Sequence, residues 1–455
     1  MSPSDVTART LLRFRANECE RSMIYHVLRA FPWMISRRAV APRSVPRLSI
    51  AGNFSSTCST SSQMDQLLYT SAIDAEPLHR YRKGGYHPIT LGDFLKNGRY
   101  KILHKLGWGG YSTVWAARDQ SEEAYVAVKV SVSERENDGG NRELQVMKEL
   151  ASIQPRPQHV MRLLDDFDLE GPNGTHKCLV FELLGPSIPD TIDARFPDGR
   201  LPGKLAKVIA KQAVFGLDTL HQQKIGHGDL HTRNLAFTLP CMDDVPEGEF
   251  IEMLGKTEIG HVRRSDGKAL EPGIPKYIVR SASSSYRTHS WSSSYPIKIV
   301  DFGESFLHTT VPRTLHTPLP VRAPEVIFRD RLDYHVDLWS MGCMLFELFV
   351  GQPPFDSFLI TPTILVGQTV EMASDALPER WQDSYKTMDD RITGESSGPA
   401  LQEWLEEMYF DGERNEDLTK EDIVKLGQII GRLLRFEPST RASAREILND
   451  PWFRE

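Results

Sequence analysis

Between residues 100 and 119 the chain reads YKILHKLGWGGYSTVWAARD, with apolar and polar positions alternating on both sides of a Gly-rich turn. A period of two predicts the paired strands of a hairpin. EAYVAVKVSV keeps that period and predicts a third strand, whereas NRELQVMKELASI brings its apolar residues back at helical spacing. HKCLVFELLG is a strand again, closed by Gly185 and Pro186. Beyond it the pattern is mostly helical: PGKLAKVIAKQAVFGLDTLHQQ is amphipathic, and DLWSMGCMLFELFVG is apolar almost all round, as a buried helix is. A strand-rich part followed by a helical part predicts an α+β fold of two lobes.

The pattern also sets boundaries. Residues 1–75 form an Arg/Ser-rich extension, 76–184 a small lobe with its lead-in, and 185–455 a large lobe carrying a polar, partly disordered surface insertion at about 240–296. The first sixty residues hold nine Arg, no Lys and three acids, and run into SSTCSTSSQ. That composition suits a targeting segment, a disordered extension or a gene-model artefact, and all three stay open. The insertion includes RSASSSYRTHSWSSSYP, too polar to build a core.

Composition narrows the rest. A net charge of −7 gives no global basic field for nucleic acid, and direct nucleic-acid binding is not expected. The five cysteines are far apart with no CxxC pair, which fits a reducing compartment and neither a disulfide framework nor a zinc site. No apolar run approaches the roughly 20 residues of a membrane span. A monomer is expected, in cytoplasm and nucleus, with mitochondrial targeting by the N-terminal segment as the alternative.

The chemistry sits in four places. LGWGGYSTV supplies glycines that let backbone N–H groups approach phosphates. VAVK places Lys129 on the third strand, where it can hold nucleotide phosphates if a carboxylate fixes its ammonium; Glu143 is the best partner and Glu149 the fallback. In HGDLHTRN, Asp229 can accept or orient the proton of an attacking hydroxyl and Asn234 can hold Mg²⁺. Asp301 of IKIVDFGES can hold the metal that bridges the phosphates of ATP. Each motif alone could be a turn. Their order and spacing, after a Gly-rich turn and a strand Lys, make chance improbable and fit the pattern of phosphoryl transfer.

This arrangement resembles the protein-kinase superfamily over nearly all of residues 100–453, and implies its bilobal fold. VRAPEVIF supplies Ala323, Pro324 and Glu325 of a peptide-positioning segment; DLWSMGCMLFEL supplies Asp337, and RFEPSTRASAREILNDPWF supplies Arg441. By that resemblance Asp337 caps the backbone of the catalytic loop and Arg441 pairs with Glu325. YRKGGYHPITLGDFLKNGRYKILHKLGWGGYSTVWAARD and LLDDFDLEGPNGTHKCLVFELLG resemble the kinases of serine/arginine-rich splicing factors, and Arg322 fits the wider group. The resemblance implies a nucleotide site of Leu106, Gly107, Trp108, Gly109, Gly110, Tyr111, Ser112, Thr113 and Val114 in the Gly-rich lid, with Ala127. Phe181 lines the back of the pocket, and the backbone of Glu182 and Leu184 binds adenine. It implies Ser hydroxyls of Arg/Ser-rich proteins as acceptors and a link to mRNA processing. A pseudokinase scaffold is the alternative, opposed by the intact Lys129, Asp229, Asn234 and Asp301. A small-molecule kinase of the aminoglycoside or choline kind shares HGDLH, but the APE segment and Asp337 oppose it.

Between Glu371 and Asp422 sixteen acids face five Lys/Arg, a local balance of −11. Such a face would attract an Arg-rich peptide, and charge reversal at Glu406, Glu407, Asp411 and Glu413 tests it. The catalytic loop departs from the family pattern twice. Gly228 stands where many protein kinases carry the Arg that receives a phosphorylated activation loop, so constitutive activity is expected. His231, assigned a catalytic place, stands where Ser/Thr kinases usually carry Lys, so a slower enzyme is expected.

Overall fold

The protein is described from a computed structural model covering residues 68–134, 140–282, 295–355, 360–373, 375–388 and 400–454. The order of elements begins with the short strand β1 (Tyr69–Thr70) and continues with β2 (Phe94–Leu95), β3 (Tyr100–Gly109), β4 (Ser112–Asp119) and β5 (Ala124–Ser131). Helix α1 (Gly140–Ser152) follows, then β6 (Leu163–Gly171) and β7 (Gly174–Glu182). Strands β2 to β7 form one antiparallel sheet in the order β2-β3-β4-β5-β7-β6.

Strand alternation gives that sheet two chemically different faces. Trp115, Val126, Val128, Val130, Cys178 and Val180 form a core on the outer face. Ala127 and Lys129, set between those valines along β5, point to the other face, where α1 supplies Val146, Met147 and Leu150.

The helical lobe follows. Helix α2 (Ile188–Arg195) starts on a capping box in which Ser187 and Asp190 satisfy each other's backbone N–H groups. Helix α3 (Gly203–Gln222) and strands β8 (Ile225–Gly226) and β9 (Leu235–Phe237) lead through the catalytic loop. Then come α4 (Glu247–Met253), β10 (Ile259–His261), β11 (Arg263–Arg264), β12 (Tyr277–Val279), β13 (Ile297–Ile299), β14 (Phe306–Leu307) and α5 (Pro324–Ile327). Helices α6 (Val336–Val350), α7 (Pro362–Met372), α8 (Glu379–Met388), α9 (Leu401–Tyr409), α10 (Lys420–Leu433) and α11 (Ala444–Leu448) complete the chain. As its sequence predicts, α6 is buried at every position but Glu347. Two strand pairs set the site: β8 with β14 and β9 with β13 bring residues 227–234 beside residues 300–305.

Two boundaries read from sequence are corrected. The folded part begins before residue 76, because β1 pairs antiparallel with β11. Residues 1–67, with the proposed targeting or disordered character, lie outside the described residues. The polar insertion is also not a loose surface segment over residues 240–282. From the helical lobe it crosses to the strand-rich lobe and packs there. Phe250 stacks on Tyr125 at 3.7 Å between ring centres, and the Tyr125 hydroxyl donates to the Val245 carbonyl at 2.7 Å. Val279 joins the outer core, and the Tyr277 hydroxyl accepts the Leu91 N–H at 2.9 Å. A few well-spaced apolar residues in a polar stretch suffice, since each buried Val or Phe is worth roughly 1.5–3 kcal/mol. The Ser-rich residues 283–294 lie outside the described residues.

Candidate active site

The turn between β3 and β4 carries the first group of predicted residues. A Cβ built at Gly107, Gly109 or Gly110 would meet no atom within 4 Å, so nothing in the protein requires their lack of a side chain. The emptiness lies where phosphates would approach the backbone. Leu106 and Leu183 pack against a cluster that includes Phe250 and Leu254 of the insertion. Val114 pairs with Lys129 and Ala116 with Ala127 across β4 and β5. Thr113 turns the other way: it is buried and its hydroxyl accepts the Trp115 indole N–H at 3.0 Å. Its side chain is therefore unavailable to a nucleotide. Tyr111 is 43% exposed at the tip of the turn, while Trp108 and Ser112 pair with Thr113 and Gly109 at the end of the hairpin.

Lys129 donates to Glu143 at 2.7 Å and to Asp301 at 3.0 Å. Burial works against its charge, but the two carboxylates outweigh burial and raise its proton affinity. The same ammonium holds the Asp301 carboxyl at about 2, well below the usual range. Glu143 is the partner, since it is buried on α1 while Glu149 is exposed. Phe181 is buried at the end of β7. The Glu182 Oε1 accepts from Lys298 at 2.6 Å and from the Arg162 N–H at 2.8 Å. No backbone carbonyl among the described residues accepts the Leu184 N–H.

The catalytic loop is held from behind by α6. Asp337 accepts the N–H groups of His227 at 2.7 Å and Gly228 at 2.8 Å. Glu347 accepts the Thr232 hydroxyl at 2.7 Å, and burial pushes its carboxyl upward. His227 is held in place by this network: its Nε2 lies 3.0 Å from the Val300 carbonyl and its Nδ1 accepts the Asp229 N–H at 3.2 Å.

So placed, the Asp229 Oδ1 is buried without a hydrogen-bond partner. A buried carboxylate oxygen left bare is costly, and here it lies where a substrate hydroxyl would enter. Asn234 uses its Nδ2 on the Asp229 carbonyl at 2.8 Å, which leaves its Oδ1 as a ligand oxygen. His231 Nε2 lies 3.6 Å from the same Asp229 oxygen and 3.3 Å from Asn234 Nδ2. Among the described residues no group of three or more His, Cys, Asp or Glu could hold a metal alone. A pair of oxygens from Asn234 and Asp301 suits Mg²⁺, which takes its remaining ligands from phosphates and water.

Gly228 has φ +76°, and a Cβ there would lie 2.7 Å from the Glu304 carbonyl and 2.9 Å from Leu315. Leu315 thus fills the place a longer side chain would need. Thr317 donates to the Gly228 carbonyl at 2.6 Å and Arg322 to the Thr317 carbonyl at 2.8 Å. Glu325 and Arg441 form a bidentate pair at 2.6 and 2.7 Å with almost no exposure. Two residues, Glu347 and Arg233, and the structural role of Thr317 escaped the sequence reading. Thr317 and Glu347 are polar side chains whose partners lie 89 and 115 positions away. Arg233 is exposed in the catalytic loop and no hydrogen bond or ion pair engages it among the described residues.

With this geometry in place, comparison with known proteins is direct. The family model described as the protein kinase domain matches residues 100–240 and 288–453. The chain belongs to the protein kinase domain family. The break in the match coincides with the insertion. The serine/threonine-protein kinase SRPK of Physarum polycephalum is 28% identical over 82% of this chain and 89% of that protein. The protein kinase dsk1 of Schizosaccharomyces pombe is 25% identical over 82% of this chain and 84% of its own length. Human SRSF protein kinase 3 is 38% identical over 39% of this chain and 31% of its own. The chain is thus similar to the SR-protein kinases. Among the described residues no helix is long and apolar enough to cross a membrane.

Proposed function

We propose that the chain is a constitutively active serine/threonine kinase that transfers the γ-phosphate of ATP to Ser hydroxyls of Arg/Ser-rich proteins, linking it to mRNA splicing. The bare, buried Asp229 Oδ1 carries the reading. It is placed to take the proton of an acceptor hydroxyl as the new oxygen–phosphorus bond forms and the bond to ADP breaks. Lys129, fixed by Glu143, orients the nucleotide phosphates, and the Gly-rich turn supplies N–H donors. Mg²⁺ held by Asn234 and Asp301 would neutralise charge building on the phosphate oxygens. His231 lies beside Asp229, its Nε2 3.6 Å from the Asp229 Oδ1.

Constitutive activity rests on Leu315 and Thr317, which seat the activation segment on the catalytic loop without a phosphate. Of Thr309, Thr310, Thr314 and Thr317, the last is buried and already bonded. Phosphatase treatment should leave the rate unchanged.

Substrate choice has two charge contributions. Asp417 accepts the N–H groups of Gly203 and Lys204, Asp422 caps α10, Asp375 accepts the Phe436 N–H, and Asp411 pairs with Arg414. These acids serve the fold. Asp389, Asp390 and Glu395 lie outside the described residues. Glu403 and Glu407, exposed on α9, are the better candidates to attract an Arg-rich segment. Arg233, exposed in the catalytic loop, weakens the hold on an Arg directly beside the acceptor without excluding it. Such substrates place the work of this monomer in cytoplasm and nucleus; import of a reporter carrying residues 1–75 into mitochondria would overturn that.

Radiolabelled ATP with an Arg/Ser peptide, a neutral peptide and an aminoglycoside, using wild type and Asp229→Asn, tests the reading. Label should enter the Arg/Ser peptide alone, and only with wild type. Label on the aminoglycoside, or none on either peptide, overturns it.

A further inference from the structure

The segment 76–86 lies before the residues matched by the kinase family model, yet it reaches the Gly-rich turn. Tyr86 is 1% exposed, and its hydroxyl donates to the Gly109 carbonyl at 2.8 Å. We infer that Tyr86 is a positioning residue for the nucleotide phosphates, acting by fixing the orientation of the Gly109–Gly110 peptide.

The argument begins with peptide geometry. In a planar trans peptide the C=O and the following N–H point in opposite directions. Holding the Gly109 carbonyl toward Tyr86 therefore aims the Gly110 N–H to the other side of the turn. Tyr86 belongs to the cluster containing Tyr81 and Val132, next to the outer core. By strand alternation Val132 of that cluster falls on one face and Lys129 on the other, so the Gly110 N–H is turned toward the Lys129 side; a Cβ at Gly110 would meet no atom within 4 Å. A glycine-rich turn with no such anchor samples many peptide orientations, and a donor must be oriented beforehand to favour one ligand pose.

Tyr86 is itself fixed on several sides. Its carbonyl accepts from Asn173 Nδ2 at 2.7 Å, and its N–H donates to the Arg80 carbonyl at 2.9 Å. A Cβ at Gly85 would lie 1.8 Å from that Arg80 carbonyl, so the bend that delivers Tyr86 needs glycine there. The Tyr81 ring meets the Tyr86 ring edge-on at 5.5 Å, and Arg80 lies 5.3 Å from the Tyr86 ring and 5.8 Å from that of Tyr111. Burial pushes the Tyr86 phenol up to about 12, so it remains a donor across the working range of pH.

The inference rests on the nucleotide reading above, and Tyr86→Phe tests it, because it removes one oxygen and keeps the buried ring. Calorimetry with ADP and Mg²⁺, and separately with adenosine, should show ADP affinity falling about three- to tenfold, the range a net hydrogen bond is worth. Adenosine affinity should stay within twofold, and the urea midpoint should fall only by the small amount one lost hydrogen bond costs. The KM for ATP should rise by a larger factor than kcat falls. Equal losses for ADP and adenosine, or no loss for either, would overturn the role of Tyr86 while leaving the nucleotide reading intact. Wild type that binds neither probe would overturn both.

Discussion

Lys105 and Lys129 stand on the same sheet, each against a buried glutamate, and their surroundings differ in one respect. Lys105 and Glu76 are both 0% exposed, with the Tyr81 hydroxyl as a further donor to Glu76 and the Trp115 ring 4.8 Å from the ammonium. Lys129 meets Glu143 in the same way, but its second carboxylate, Asp301, is 54% exposed at the cleft. In the closed pair burial outweighs Glu76 and lowers the proton affinity of Lys105. In the open one two carboxylates outweigh burial and raise that of Lys129. One counter-charge in a closed box holds shape. A second at the cleft edge leaves an oxygen within reach of an arriving ligand.

The comparison is sharpened first at Asp229. Its Oδ1 makes no hydrogen bond in the fold, so Asp229→Asn should cut phosphotransfer by about 10²–10⁴-fold with little change in the urea midpoint. A fall in stability instead would move Asp229 to the structural side. Next come the lysines themselves. Lys105→Met leaves Glu76 buried without its partner and should cost about 3–5 kcal/mol in urea unfolding, with kcat/KM retained below the unfolding temperature. Lys129→Met should lose about 10²-fold in kcat/KM; it also leaves Glu143 buried without its partner, so the two variants are told apart by kcat/KM rather than by stability. Reversed outcomes would break the distinction.

Acid separates the two pairs further. The Asp301 carboxyl lies at about 2 in the folded protein, against about 3.9 unfolded. Its stabilisation is therefore complete above the unfolded value and lost as pH falls from about 4 to 2. In Lys129→Met that acid-dependent loss should largely vanish from unfolding curves, while in Lys105→Met it should persist.

Smaller effects probe the loop between them. His231→Lys restores a full charge beside Asp229 and should raise kcat about tenfold; abolished activity would show that the imidazole does something a cation cannot. Arg233→Glu should improve, about two- to fivefold, the use of peptides with Arg directly beside the acceptor Ser, measured against peptides with Ala there.

Lys129, Asp229, Asn234 and Asp301 were legible in the sequence because each lies in a short local pattern: an alternating strand or a turn of Asp, Asn and Gly. So were the hairpin, with its period of two, and α6, which is apolar almost all round. What stayed hidden depends on contacts distant in the chain. Glu76 meets Lys105 across 29 positions and Tyr86 meets Gly109 across 23, and neither segment has a periodic signal. The insertion was read as loose because its apolar residues are sparse. The sheet needs only a few of them. The acidic count likewise could not separate acids that cap helices, such as Asp422, from those free to meet a partner.

The buried Lys105 bears on how this protein can be shortened. A chain cut to the matched limits, 100–453, would keep every catalytic motif yet strand an ammonium inside the sheet. Such a fragment should come out of cells insoluble, and a reader of the assay would blame the chemistry. Expression boundaries for this protein belong at or before Tyr69, with residues 240–282 retained.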